Sequence, residues 1–219
     1  MNYFAHGLRF LDRPHFLVGT AIPDLLSVVD RKVRMRSRRV EPFLRHDDPL
    51  QREIAAGVLQ HLHDDRWFHA TPAFQQTIAE LTALFRTVLD PEIGHRPGFL
   101  GHIVTELLLD GLLIDEDPQL LDEYYAAIEQ VDPHQLERAV NRMARNQTDR
   151  LAPLVPRFQQ EQFLRDYFEP PRLLFRLNQV MRRVKLPELP EELIPSLREG
   201  RAIVAQRTAA LLPHQHFTR

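Results

Sequence analysis

Two stretches of the sequence place histidine and carboxylate residues four positions apart. The first set is His61, Asp65 and His69, and the second is His102, Glu106 and Asp110. On a helix, residues four apart project from one face, with their Cβ atoms about 5–6 Å from each other. Imidazole and carboxylate groups are the ligands that Zn, Mn, Fe or Mg take in proteins. The spacing therefore predicts two ladders of ligands for a divalent metal ion.

The second ladder lies in an almost continuously apolar stretch, which predicts a buried helix over Pro97–Ile114. Ionised carboxylates are costly in a protein core unless they are paired or bound to a metal. Glu106 and Asp110 therefore require a partner, and a metal ion would supply one. The structural alternatives are a hydrogen-bond network to arginines, or a helix turned so that this face is wet.

Two N-terminal residues, His6 and Asp24, are also surrounded by apolar residues. A lone histidine in such a context is more often a satisfied core residue than a ligand. Each ladder alone offers too few donors for a closed site, however, and we expect His6 and Asp24 to complete it. His46-Asp47 is equally well explained as a loop before a helix capped by Asp48.

Composition excludes several kinds of chemistry. The chain has no cysteine, no Gly-rich phosphate loop and no G-x-S-x-G motif, which leaves metal-activated water as the chemistry that fits. The net charge of −2 argues against nucleic acid as a partner of the whole protein. No apolar run reaches the length of a membrane span, and MNYFAHGLRF does not resemble a signal peptide. We therefore expect a cytoplasmic protein without membrane association.

The pattern of apolar residues predicts an all-α protein. Glycine is scarce, most prolines lie at the ends of periodic segments, and no segment alternates like a strand. Helices are predicted at Gln51–His63, Thr71–Leu89, Pro97–Ile114, Pro118–Gln130, Pro133–Arg145, Arg157–Tyr167, Pro171–Val184 and Pro190–Leu212. We expect one helical metal-site domain over residues 1–184, with the site within 1–115. Residues 185–219 would form a linker and a C-terminal helix that packs on the same domain.

The N-terminal half resembles the acyl carrier protein phosphodiesterase family, a divergent branch of the HD-type metal phosphohydrolases. The resemblance covers residues 1–115 and is carried by short motifs in a fixed order. These are Met1–His6, Gly19 to Asp24, Gly57, His61, Asp65, Pro72, and the pair Glu106 and Asp110. The chain departs from that family at Leu62 and His63, where the family has arginines, and at His69, where it has an aspartate; His102 is an addition.

The added histidines are similar to the His-x3-Asp and His-x3-Glu pairs of zinc-dependent phospholipase C and the S1/P1 nucleases. The N-terminal tryptophan ligand of that group is absent, so the similarity is one of motif. Both resemblances imply a divalent metal and a phosphate-ester substrate. The first also implies a single-domain helical bundle of HD-domain-like type, and a phosphodiesterase that removes 4′-phosphopantetheine from acyl carrier protein.

The leading interpretation is a metal-dependent phosphohydrolase. His6, Asp24, His61, Asp65, His102 and Glu106 would hold one or two ions, with Asp110 and His69 as proton shuttle or extra ligand. The basic run Arg31–Arg39 is either a solvated loop or the dock for an acidic carrier protein. A non-enzymatic helical protein with a buried His/carboxylate network is the alternative. A di-iron bundle is a third interpretation, disfavoured because the predicted helices lack Glu-x-x-His pairs.

Overall fold

The computed structural model describes residues 1–218 and confirms the all-α class, since this range contains helices and turns but no β-strand. The described residues form eleven α-helices. They are α1 (Tyr3–Gly7), α2 (Pro14–Val29), α3 (Ser37–Val40), α4 (Pro49–Ala70), α5 (Pro72–Arg86), α6 (Pro97–Glu116), α7 (Pro118–Glu129), α8 (Pro133–Met143), α9 (Leu151–Glu161), α10 (Pro170–Val184) and α11 (Ile194–Leu211).

The starts of the central helices follow from local sequence. Helices α4 to α8 each begin with proline, whose fixed φ and missing N–H suit the first helical position. The residue before the proline often caps the helix: Asp48 Oδ1 accepts from the Leu50 amide at 3.0 Å, and Thr71 Oγ1 from the Phe74 amide at 3.2 Å. The predicted cap of α4 at Asp48 is thereby confirmed.

The later helices differ from the predicted bounds. α9 begins at Leu151 rather than Arg157 and runs through Pro156, because Glu137 of α8 accepts hydrogen bonds from the amides of Leu151 and Ala152. Pro156 is the sixth of the eleven residues of α9, and its missing N–H removes one bond of the helical ladder. α11 begins at Ile194, after a short 3₁₀ turn over Glu191–Leu193, rather than at Pro190.

The chain divides into two compact units. Unit 1 consists of residues 1–66 and 117–162, where α2 packs against α1, α7 and α9, and α8 packs against α9. Unit 2 consists of residues 67–116 and 163–218, where α5 and α6 pack together and α11 packs on both.

Helix α6 is the central helix of unit 2. By length and composition it is, among the residues described, the one helix that would fit a membrane, and 61% of its apolar window is buried inside the protein. A core helix of a folded domain has the same character. Gly101 allows its close packing on α5, because a Cβ at that position would lie 3.0 Å from the carbonyl oxygen of Ile78.

Candidate metal centre

Unit 1 brings together His6, His61 and Asp65. Each offers one donor atom, and the three atoms lie within 4.8 Å of one another. His6 and His61 are buried, with 0% and 3% of the residue exposed, while the Asp65 side chain is 32% exposed. Two imidazoles and a carboxylate form a donor set that suits Zn and related divalent ions, with one side open to solvent.

The orientation of His61 is set by a backbone group of α2. His61 Nδ1 lies 2.8 Å from the carbonyl oxygen of Thr20. A carbonyl can only accept, so Nδ1 must carry the proton and donate it. Nε2, which lies 3.4 Å from Asp65 Oδ2, is then the atom that can present a lone pair to a metal.

Two glycines allow α2 and α4 to approach closely enough for that bond. A Cβ at Gly19 would lie 2.6 Å from the carbonyl oxygen of Ile54 and 3.0 Å from Gly57 Cα. Pro23 lies within α2 and has no N–H, so the carbonyl of Gly19, beside Thr20, lacks its usual helical donor. The two glycines let α2 and α4 approach closely, and Pro23 interrupts the hydrogen-bond ladder of α2 next to Thr20. The Thr20 carbonyl therefore lies where His61 can reach it.

His6 on α1 adds the second imidazole. Its ring stacks on that of His61, with centroids 4.0 Å apart, and its Nε2 lies 3.2 Å from Asp65 Oδ1. Its Nδ1 lies 3.6 Å from Oδ2 of Asp64, a fully buried residue. Neither ring nitrogen makes a hydrogen bond of good geometry, so His6 is held by stacking and by the two neighbouring carboxylates.

Asp65 is ionised by its surroundings. Burial alone would raise the pKa of this carboxyl, but the imidazoles of His6 and His61 lower it, and the net pKa lies far below its usual range. The α-amino group of Met1 also donates to Asp65 Oδ1 at 3.0 Å. The carboxylate is therefore available as a charged ligand at any physiological pH.

Unit 2 brings together His69, His102 and Glu106, again with donor atoms within 4.8 Å of one another. Nε2 of His69 and Nε2 of His102 lie 2.8 Å and 3.2 Å from Glu106 Oε1. The side chains are 34%, 43% and 17% exposed, which makes this group more open than the one in unit 1. Phe74 of α5 contacts both imidazole rings, with centroid distances of 4.9 Å and 5.1 Å.

Glu106 is also strongly acidic. Burial would raise the pKa of its carboxyl, but hydrogen bonds from His102 and His69 help to hold the pKa well below its usual range. His69 belongs to this group because α4 continues to Ala70, beyond the predicted end at His63.

Asp24 and Asp110 do not belong to either group of donor atoms that the described residues form. Asp24 is partly buried on α2, and Asp110 is fully buried on α6, one turn after Glu106. His46 belongs to a loop, where its Nδ1 accepts from the amide of Asp48 at 3.1 Å.

Three residues that contribute to the unit 1 group were not predicted as ligands. Thr20 acts through its carbonyl oxygen, which no residue-type pattern signals. Asp64 and Arg9 form a partly buried ion pair of 2.5 Å beside His6. Asp64 itself is completely buried, so it faces the interior of unit 1 and not solvent.

The basic run Arg31–Arg39 is a fixed part of unit 1. Val33, Met35 and Val40 are buried and anchor it, while all six cations in the run are exposed. The side-chain amide of Asn146 donates to the Lys32 carbonyl at 3.0 Å. None of these cations forms an ion pair with a residue that the structure describes.

Comparisons of the chain with protein-family models, with curated proteins and with solved structures give no match.

Proposed function

We propose that the protein is a metal-dependent phosphohydrolase, a phosphodiesterase with a helical fold of HD-domain-like type. The observation that supports it best is the hydrogen bond from His61 Nδ1 to the Thr20 carbonyl. This bond leaves Nε2 as the metal-binding nitrogen, next to Asp65 and His6. Ligand histidines in metalloenzymes are typically oriented by such a bond from the other ring nitrogen.

One or two divalent ions, Mn, Zn, Fe or Mg, would be held by His6, His61 and Asp65 in unit 1 and by His102 and Glu106 in unit 2. A bound ion would lower the pKa of a coordinated water and polarise a phosphoryl oxygen. His6, His61 and Asp65 supply two neutral lone pairs and one negative charge, which leaves net positive charge for the anionic substrate. Asp24 is proposed as an additional ligand on the same unit.

His69, His102 and Glu106 form the more exposed of the two groups of donors. A substrate would therefore reach this group more easily than the group in unit 1. His69 would act as the proton shuttle: its Nε2 donates to ionised Glu106 at 2.8 Å, so its Nδ1 would take up the proton that the attacking water releases, and Glu106 would stabilise the resulting imidazolium. Asp110, which is fully buried, is proposed to serve proton transfer or ligand support behind Glu106.

The proposed substrate is a phosphodiester on an acidic partner, such as 4′-phosphopantetheine on acyl carrier protein. The exposed cations of Arg31–Arg39 have no ion-pair partner among the described residues, and clustered like charges repel one another. An acidic protein surface would neutralise them and would be attracted at long range.

Metal analysis tests the central claim. Purified wild-type protein should contain a transition metal, and Mn or Zn should raise its Tm above that in EDTA, because a ligand bound only by the native state stabilises it. Hydrolysis of bis-p-nitrophenyl phosphate should depend on the same metals. His61→Ala should abolish the metal-dependent hydrolysis and reduce the rise in Tm, whereas His63→Ala, a change at an exposed histidine on the same helix, should retain both effects. A protein without bound metal or metal-stimulated turnover would refute the proposal.

The non-enzymatic alternative also has an observation in its favour. Glu106 is already hydrogen-bonded to His69 at 2.8 Å, so the unit 2 group is satisfied as a polar network. A structural network predicts that His102→Ala lowers the Tm equally with EDTA and with Zn. The metal site predicts that the difference in Tm between wild type and variant grows when Zn is added.

Charge reversal tests the docking surface. Arg36→Glu together with Arg38→Glu should weaken binding of an acidic carrier protein at low salt and leave hydrolysis of bis-p-nitrophenyl phosphate unchanged. Equal binding by wild type and variant across salt concentrations would rule out this surface as the dock.

A further inference from the structure

We infer that Arg9 and Asp64 position His6 for metal binding. The consecutive residues Asp64 and Asp65 then lie beside opposite nitrogens of the His6 imidazole, Asp64 beside Nδ1 and Asp65 beside Nε2. This inference rests on the proposed function and adds two positioning residues to it. Neither residue would bind the ion.

The geometry around His6 divides its two nitrogens between the two carboxylates. Nε2 lies 3.2 Å from Asp65 Oδ1, on the side of the other donor atoms, and Nδ1 lies 3.6 Å from Asp64 Oδ2. His6 is fully buried, so no exposed surface offers water as a partner for Nδ1. A small closure of the Nδ1–Asp64 distance makes a hydrogen bond that fixes the proton on Nδ1.

The hydrogen bonds that Asp64 already accepts favour a role as the partner of His6 Nδ1 over a role as a metal ligand. Its Oδ2 accepts from Arg9 at 2.5 Å, and its Oδ1 accepts from Gln60 Nε2 at 2.9 Å. A buried carboxylate is costly unless it is paired, and the guanidinium of Arg9 supplies the compensating charge. Both carboxylate oxygens of Asp64 are therefore already engaged by Arg9 and Gln60, so Asp64 does not compete with Asp65 for the ion.

The same arrangement then applies to both histidines of unit 1: Nδ1 faces an acceptor of the protein, and Nε2 is left for the metal. His61 Nδ1 donates to the Thr20 carbonyl at 2.8 Å, and His6 Nδ1, 3.6 Å from Asp64 Oδ2, would donate to that carboxylate once the distance closes, which leaves both Nε2 atoms for the metal. A carboxylate behind a ligand histidine orients the ring and raises its basicity. The two rings stack with centroids 4.0 Å apart, and the Nε2 atoms of both lie beside the Asp65 carboxylate, at 3.2 Å for His6 and 3.4 Å for His61.

The test is the zinc affinity of the unit 1 group, measured with a chromophoric chelator as competitor in a His102→Ala background. Asp64→Asn should weaken zinc binding by about 10–100-fold, the usual effect of losing such a support. His63→Ala, a change at an exposed histidine beside Asp64 on α4, is the matched control and should leave the affinity unchanged. Nitrogen-15 NMR of the zinc-loaded parent should show His6 protonated at Nδ1 and bound through Nε2.

The possible results distinguish a failure of the positioning role from a failure of the metal site itself. Equal zinc affinity in the parent and Asp64→Asn, or His6 bound through Nδ1, would overturn the positioning role and leave the metal site standing. A parent that binds no zinc would refute the proposed function, and this inference with it. If Asp64→Asn does not fold, Arg9→Gln replaces it. Arg9→Gln should then weaken zinc binding, and unchanged affinity would overturn the inference.

Discussion

Gly57 on α4 lies so close to Gly19 on α2 that a Cβ built on Gly57 would come within 2.9 Å of the Gly19 Cα. The same Cβ would overlap the carbonyl oxygen of Phe16. His61 lies one turn after Gly57 on α4, and its bond partner Thr20 directly follows Gly19. The close approach of these two glycines therefore determines whether His61 can reach the Thr20 carbonyl.

Gly57→Ala should both destabilise the protein and weaken metal binding. The obstructing atoms are backbone, so the helices must separate, at a cost of about 1–3 kcal/mol of unfolding free energy. That separation lengthens the His61–Thr20 bond of 2.8 Å. Urea denaturation with EDTA would measure the stability, and chelator competition would measure zinc affinity on the folded variant.

Gly98→Ala provides the matched control. Gly98 is also helical, on α6, but a Cβ there would meet nothing within 4 Å. Alanine at such a position is neutral or stabilises by up to about 1 kcal/mol, because it reduces the freedom of the unfolded chain. If Gly57→Ala proved as harmless as Gly98→Ala, close packing at Gly57 would not position His61.

Much of this architecture could be predicted from local signals. The prolines at the starts of α4 to α8, with the side-chain caps of α4, α5, α7 and α8, fix where these helices begin. The spacing of four brings His61 and Asp65 onto one face. The same spacing correctly pairs His102 with Glu106. Such contacts are set within one helix, so the sequence pattern alone is sufficient to predict them.

Long-range contacts could not be predicted in this way. The carbonyl of Thr20 has no residue-type signature, and the burial of Asp64 depends on Arg9, which lies 55 residues away. Asp110 shows where prediction from a spacing of four residues fails. It shares the predicted face with His102 and Glu106 but is fully buried and outside their donor group, since each turn of 3.6 residues shifts a ladder of four around the helix.

The depressed pKa of Asp65 predicts an acid-dependent loss of stability. Burial opposes the shift, but the neighbouring imidazoles outweigh it, so the folded pKa lies below the unfolded value of 3.8. The contribution of ionised Asp65 is thus complete above about pH 5 and is lost as the pH falls through 4 and below. In EDTA, the difference in unfolding free energy between wild type and Asp65→Asn should shrink over that range. Parallel pH profiles would contradict this.

The N-terminus of α9 depends on a side chain from α8. Glu137 Oε2 accepts from the amides of Leu151 and Ala152 at 3.0 Å and 2.9 Å. Glu137→Ala leaves both amides without this acceptor and should cost about 1–3 kcal/mol, the usual range for hydrogen bonds to a charged group. The exposed Glu129→Ala is the control, with little expected effect. Comparable denaturation midpoints for the two variants would exclude this cap.

One amide side chain makes two hydrogen bonds to the connection between α10 and α11. Asn178 Oδ1 accepts from the Leu189 amide at 2.7 Å, and Asn178 Nδ2 donates to the Leu189 carbonyl at 3.1 Å. Asn178→Ala removes both bonds at once and should let Lys185–Pro190 open without unfolding the unit, because the helices on either side keep their own packing. Asn178→Asp retains the acceptor for the Leu189 amide and should have the smaller effect. Hydrogen exchange would show this as faster exchange at Leu189, with amides in α5 and α6 unchanged; uniform acceleration across unit 2 would instead mean global destabilisation.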